Sequence, residues 1–209
     1  NKVLFLPNTL PSINNQNFIQ NNSNRFNQKN KFKIIYSGRI NESKGILLIL
    51  ELLNTELANL LEIGFLGPIN LSKSSKKRFI SLKNNRLIKY HGLAYGEDIL
   101  KILSNYNLFI FPSSHITEGM PNSILDAISC KLPVLTSNCG FINELFSEKH
   151  LTFLNNCDLR SIVENLKDVI FNYKKYISKA ENAYRFSSEN YSYSNYIKNL
   201  KNLYRHSKS

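Results

Sequence analysis

Two carboxylates, two cations and a glycine stand in this sequence at spacings suited to chemistry on a phosphorylated substrate. Glu118 and Asp126 form the pattern E-x7-D, and Gly119 follows the first directly. Ionised carboxylates only accept hydrogen bonds, so they suit hydroxyl donors such as those of a sugar. Gly119 permits either a close approach of backbone to ligand or a turn with positive φ. A helix is expected to begin near Asn122, and the amides of Asn122, Ser123, Ile124 and Leu125 then lack intrahelical partners. Together with the helix dipole, such amides favour a phosphate. In Gly38-Arg39-Ile40-Asn41-Glu42-Ser43-Lys44-Gly45, Arg39 offers a planar fork and Lys44 a point charge, a pairing suited to a diphosphate. Hydroxyls at the acids and phosphates at the cations and amides describe a sugar nucleotide. The plainer readings are a solvated strand-to-helix loop with Pro121 in its first turn, and an exposed loop with two cations in a basic chain.

These residues need elements to hold them. Apolar runs predict strands over 33–37, 61–66, 87–91, 108–111, 133–136 and 150–154, the last at an edge. Helices are expected over 46–53, 72–83, 96–105, from 122 onward and over 141–146, with 158–205 helical and tyrosine-rich. A short apolar segment at 3–6 and a polar, asparagine-rich loop over 12–30 precede the first strand. Alternation at this spacing predicts an α/β fold with a doubly wound parallel sheet. In such sheets ligands bind outside the carboxyl ends of the strands, so both loops should open on one edge. The pattern G-x-G-x-x-G is absent, which argues against a dehydrogenase-type dinucleotide site.

Composition sets the partners. The chain has 209 residues, 42% of them hydrophobic, enough for one globular core. Lys and Arg number 27 against 15 Asp and Glu, a formal charge of +12, which points to acidic partners. The densest basic run, Lys73-Ser74-Ser75-Lys76-Lys77-Arg78, reads as a solvated face, with attraction to an anionic membrane as its alternative. Cys130, Cys139 and Cys157 are widely spaced and fit neither a disulfide framework nor a zinc site; they fit reduced, cytoplasmic thiols. No D-x-D or His/Asp cluster appears, so no metal is expected. No apolar run approaches the roughly 18 residues of a membrane span, and the start resembles no signal peptide. The absence of an initiating Met leads to the expectation that the chain is a piece of a longer protein.

Gly38-Arg39…Lys44-Gly45, Gly92, Pro112-Ser113 and Glu118-Gly119…Asp126-Ala127…Pro133-Val134 resemble the retaining glycosyltransferases of the GT-B fold, family four, the "group 1" transferases. Pro7-Asn8 resembles the Pro-Asn that marks entry into that family's carboxyl-terminal domain, and the likeness runs from Leu4 to Tyr204. The resemblance implies a Rossmann-like carboxyl-terminal half: an interdomain junction over 1–31, a donor-binding domain over 32–190, and a helix over 191–209 returning toward an amino-terminal acceptor domain outside this chain. It implies that Arg39 and Lys44 hold the donor diphosphate, with Gly38 in their loop, and that Glu118 contacts the transferred sugar. The backbone of Gly119, Met120, Asn122, Ser123 and Ile124 would meet sugar and phosphate, Asp126 the ribose hydroxyls, and Gly92 and Leu93 the base. Two departures stand out. Asp126 occupies a position usually held by Glu and is one methylene shorter. Glu118-Gly119-Met120-Pro121-Asn122 replaces the commoner Gly-Phe-Gly pattern, and Pro121 has no amide to donate.

The implied function is transfer of a sugar from a nucleoside-diphosphate sugar to an acceptor, in bacterial polysaccharide or glycolipid synthesis, by a cytoplasmic protein touching the inner membrane face peripherally. Neither a metal nor a cofactor beyond the donor is implied, and no nucleic acid. Alternatives are a nucleotide-sugar epimerase of the same architecture and a non-catalytic basic module for nucleic acid or anionic membrane. His91 is expected to be structural, His115 an inert loop residue near the sugar, and the late tyrosines packing groups.

Overall fold

The computed structural model describes residues 7–11, 26, 30–83 and 85–206, with residues 205 and 206 as backbone only. The expected segment at 3–6 and nearly all of the loop over 12–30 lie outside the described residues. Among the described residues six strands form one sheet: β1 (Phe32–Ser37), β2 (Leu61–Leu66), β3 (Ile88–Tyr90), β4 (Leu108–Phe111), β5 (Val134–Ser137) and β6 (Thr152–Leu154). Their order is β3-β2-β1-β4-β5-β6, and every pairing is parallel. A sheet of this kind needs cover on both faces. Accordingly β4 and β5 are buried at every position, and β1 at all but one.

The helices are α1 (Ile46–Glu51), α2 (Lys73–Leu82), α3 (Glu97–Leu103), α4 (Asn122–Ser129), α5 (Ile142–Leu145), α6 (Leu159–Phe171), α7 (Tyr173–Asn190) and α8 (Tyr193–His206). α1 packs on α6, while α3 and α7 both pack on α4, giving a helical layer on each side of the sheet. α4 owes its place to Ile124, Leu125, Ala127 and Ile128, an apolar stripe at helical spacing and fully buried. The long helical stretch after 158 divides where Asn172 and Tyr191 leave helical geometry. Its tyrosines pack and bond: Tyr173 donates to the Asn107 carbonyl at 2.9 Å, and Tyr191 to that of Leu145 at 3.1 Å. In α8, Tyr193, Leu200 and Tyr204 are exposed.

The basic run lies on α2, where Ser72 caps the first turn and Arg78 pairs with Glu51 at 2.6 Å, so it forms a solvated helix face. His91 closes β3 with its Nε2 2.7 Å from the Tyr106 hydroxyl, and burial holds its pKa below the usual histidine value. No disulfide joins the three cysteines. No helix among the described residues is long and apolar enough to cross a membrane.

Candidate active site

The strand order reverses between β1 and β4: from this central pair the chain runs outward one way through β2 and β3, the other through β5 and β6. Loops leaving two such neighbours diverge to opposite sides and leave a crevice between them, the place where open α/β sheets bind ligands. Here the loops are 38–45 and 112–121, carrying the cations and the carboxylate. They are pressed together at their bases. Gly45 has φ of 74°, and a β-carbon there would lie 2.1 Å from the Pro112 carbonyl oxygen. Glycine is the residue that meets both demands. The Ser43 carbonyl accepts from the Ser114 amide at 2.9 Å and from the Ser113 hydroxyl at 3.3 Å, completing the seam. Within the first loop Asn41 caps a short 3-10 turn (Glu42–Lys44), its side chain accepting from the Lys44 amide at 3.1 Å. That cap fixes where Lys44 leaves the backbone.

Glu118 is 7% exposed. Its Oε1 accepts from Ser113 Oγ at 2.8 Å and is also paired with the Lys44 ammonium. Its carbonyl accepts from the Phe141 amide at 2.9 Å. Lys44 lies over the Phe111 ring, 5.7 Å from its centre. Burial, with the charge of Arg39 in support and that of Cys139 opposing, pulls the Lys44 pKa below the ordinary lysine value. Arg39 is exposed; its carbonyl accepts from the buried Tyr36 hydroxyl at 2.8 Å. Asp126, one helical turn into α4, is half-buried, and its carboxylate makes no hydrogen bond with the described residues. Burial raises its pKa to about 6. A carboxylate so placed is costly to charge and gains from any donor that reaches it.

A cleft of about 680 Å³ collects these groups, a size within the usual range for small-molecule sites. Gly38, Arg39, Lys44, Glu118, Asn122, Ser123 and Asp126 all line it. Five other expected residues lie elsewhere. Met120 is a buried core side chain whose carbonyl accepts from Asn8 Nδ2 at 2.8 Å. Ile124 is 1% exposed, and its amide bonds the Pro121 carbonyl at 3.0 Å. Leu125 likewise gives its amide to Pro121, so of the first four amides only those of Asn122 and Ser123, two residues that line the cleft, are not taken by Pro121. Gly119 does not take positive φ, and a β-carbon there would meet nothing within 4 Å. Gly92 sits beyond β3, its carbonyl accepting from Gly67 at 2.7 Å, and the Leu93 side chain is exposed. A second cleft of about 660 Å³ shares Asn122 and Asp126 with the first and extends to Gly96, Glu97 and Asn8. His115 lines the main cleft with its Nε2 2.9 Å from Thr117 Oγ1.

Two residues, Ser113 and Gly140, are seen to position Glu118 once the three-dimensional arrangement is described. Ser113 is fully buried and fixes the Glu118 carboxylate. Gly140, with φ of 57°, lies so close that a β-carbon on it would be 2.0 Å from the Glu118 carbonyl oxygen. Pro112-Ser113 is visible in the sequence only through the family resemblance, and the role of Gly140 is a contact between distant loops that spacing does not reveal.

The family model for glycosyl transferases group 1 matches residues 18–186. The chain belongs to this family. A curated relative, an uncharacterized glycosyltransferase of Methanocaldococcus jannaschii, is 28% identical over 148 residues, spanning 66% of this chain and 34% of that protein. Among solved structures, HepE of Anabaena in complex with UDP superposes with a TM-score of 0.70 at 17% identity, covering 86% of this chain and 49% of that one. Sucrose-phosphate synthase of Thermosynechococcus elongatus gives 0.72 at 15% identity, over 84% and 45%. The carboxyl-terminal domain of LpcC, a group 1 family protein of Francisella tularensis, gives 0.65 at 18% identity, over 88% of this chain and 96% of that one. The fold is the Rossmann-like half of a GT-B architecture, and the chain spans about half the length of HepE.

Proposed function

We propose that this group 1 chain is the donor-binding half of a retaining glycosyltransferase that takes a nucleoside-diphosphate sugar. The observation that carries the reading is the sorting of charge in one cleft: Arg39 and Lys44 enter from the β1 loop, Glu118 and Asp126 from the β4 loop and α4. Arg39, Lys44 and the amides of Asn122 and Ser123 hold the diphosphate and stabilise the charge that develops on it as the glycosidic bond breaks. Glu118 takes hydroxyls of the transferred sugar. Asp126 accepts from the ribose, and the adjoining cleft toward Gly96 receives the base. Neither a metal nor another cofactor is required by this arrangement. HepE has been crystallised with UDP and with UDP-glucose, which supports beginning with uridine nucleotides.

The acceptor is held mainly by a domain outside this chain, in bacterial polysaccharide or glycolipid synthesis at the cytoplasmic membrane face. Transfer needs donor and acceptor held together with water excluded. The test is a melting-temperature screen against nucleoside-diphosphate sugars, followed by radiolabelled transfer with this chain and with the full-length protein. Stabilisation by at least one nucleotide sugar is expected. Salt-dependent binding of DNA or anionic lipid that nucleoside diphosphates do not compete would overturn the reading.

A further inference from the structure

Lys44 and Glu118 reach each other from loops 74 residues apart in sequence. In the proposed donor site both are ligand-binding groups, yet here each occupies the other. Glu118 Oε1 takes the Lys44 ammonium and the Ser113 hydroxyl together, and the two charged side chains are only 18% and 9% exposed. Arg39 differs: its side chain has neither hydrogen bond nor ion pair among the described residues, so it meets a ligand uncommitted. A diphosphate reaching Arg39 also needs Lys44, and it brings anionic oxygens toward the carboxylate already there. Like charges in a partly desolvated cleft repel, and a cation leaving a little-exposed carboxylate must be replaced by another donor.

We propose, resting on the donor-site reading above, that the diphosphate and the Glu118 carboxylate exchange on Lys44. As the diphosphate arrives, the ammonium turns from Glu118 to the phosphate oxygens, and Ser113 alone keeps hold of Oε1. The released carboxylate then has acceptor capacity for the sugar hydroxyls. A nucleotide sugar satisfies both partners of the broken pair. A bare nucleoside diphosphate satisfies only Lys44 and leaves the carboxylate short of a donor. Glu118 thereby discriminates sugar-bearing from bare nucleotide. After transfer, with the sugar gone, it competes for Lys44 and speeds departure of the nucleoside diphosphate.

Titration calorimetry with UDP and UDP-glucose on the whole chain tests this with wild type, Glu118→Gln, Lys44→Met and the double variant. Glutamine preserves shape and the contact to Ser113, and methionine preserves the stem over Phe111. Glu118→Gln is expected to bind UDP roughly three- to thirtyfold more tightly than wild type, the span between an exposed ion pair and a hydrogen bond to a charged group. UDP-glucose should gain less, and the gain should vanish in the Lys44→Met background. No tightening of UDP would overturn the exchange while leaving the donor site standing. The same gain with Lys44→Met present would also overturn it, since general charge repulsion would then suffice. Binding of neither ligand by wild type would remove the donor-site reading and the exchange with it. Circular dichroism establishes that each variant is folded; if Glu118→Gln is not, Glu118→Ala replaces it in the same cycle.

Discussion

A β-carbon placed on Gly140 would stand 2.0 Å from the carbonyl oxygen of Glu118 and 2.8 Å from its Cβ. The loop after β5 is thus the wall against which the principal carboxylate is set, and the Phe141 amide holds the same carbonyl at 2.9 Å. Gly140→Ala meets both the collision and a left-handed φ of 57°. The expected loss of stability is about 1–3 kcal/mol, the cost of backbone held in a sparsely populated region. Affinity for a nucleotide sugar should fall as well. Thermal melts with and without UDP-glucose check this; an unchanged melting temperature and an unchanged ligand response would refute it.

Arg39 and Lys44 are expected to share the diphosphate. Arg39→Ala and Lys44→Ala should each weaken binding of a nucleoside diphosphate by about 1.5–3 kcal/mol, the range for hydrogen bonds to charged groups. Calorimetry on the two variants decides it. Affinity unchanged in both would remove the diphosphate from this loop.

Asp126 links stability to pH. Burial raises its pKa from the ordinary 3.8 to about 6 in the folded chain. Folding therefore favours the protonated form. The favourable contribution is complete below about pH 4 and is lost as pH rises through about 6. A difference of that size between folded and unfolded chain is worth roughly 3 kcal/mol at most. Asp126→Asn, always uncharged, should melt higher than wild type at pH 8, by a margin that shrinks toward pH 4. It should also weaken nucleotide binding, because an acceptor for the ribose is lost. A wild-type-to-variant difference independent of pH would show that Asp126 is not penalised by burial.

Much of the fold is legible in the sequence, for definite reasons. β4 is a continuous apolar run and β2 one interrupted only by Glu62 and Gly64, bounded by Pro112 and Gly67-Pro68, so buried parallel strands are their natural outcome. That both loops open on one edge follows from alternation alone. The division of residues 158–205 into α6, α7 and α8 is less legible, because Asn172 and Tyr191 carry no proline or glycine to mark the breaks. At the head of α4, four free amides are expected and two are found: the Pro121 carbonyl takes those of Ile124 and Leu125. The buttressing of Glu118 by Ser113, Lys44 and Gly140 depends on three separate loops, and periodicity within one segment carries no trace of it.

Donor binding is expected to be indifferent to metal chelation. Two cations and two helix amides already oppose the anionic charge in the proposed arrangement. Calorimetric affinity for UDP-glucose should be the same in excess EDTA as in magnesium, and a loss restored by magnesium would defeat this.

The central pairing of β1 with β4 has a consequence for how such a cleft can be altered. Everything that grips an anion on the cation side is encoded before residue 45, and everything that reads hydroxyls after residue 112. Within the sheet the halves meet across one strand pairing, Ile34 beside Leu108 and Ile35 beside Phe109. Cutting the chain between α3 and β4 would divide the cleft lengthwise into two inert parts, each built on βαβ units. Their reassembly should then depend on a molecule that spans the join. By the same partition, exchanging only the later segment for that of a relative would change which sugar is read while Arg39 and Lys44 stay as they are.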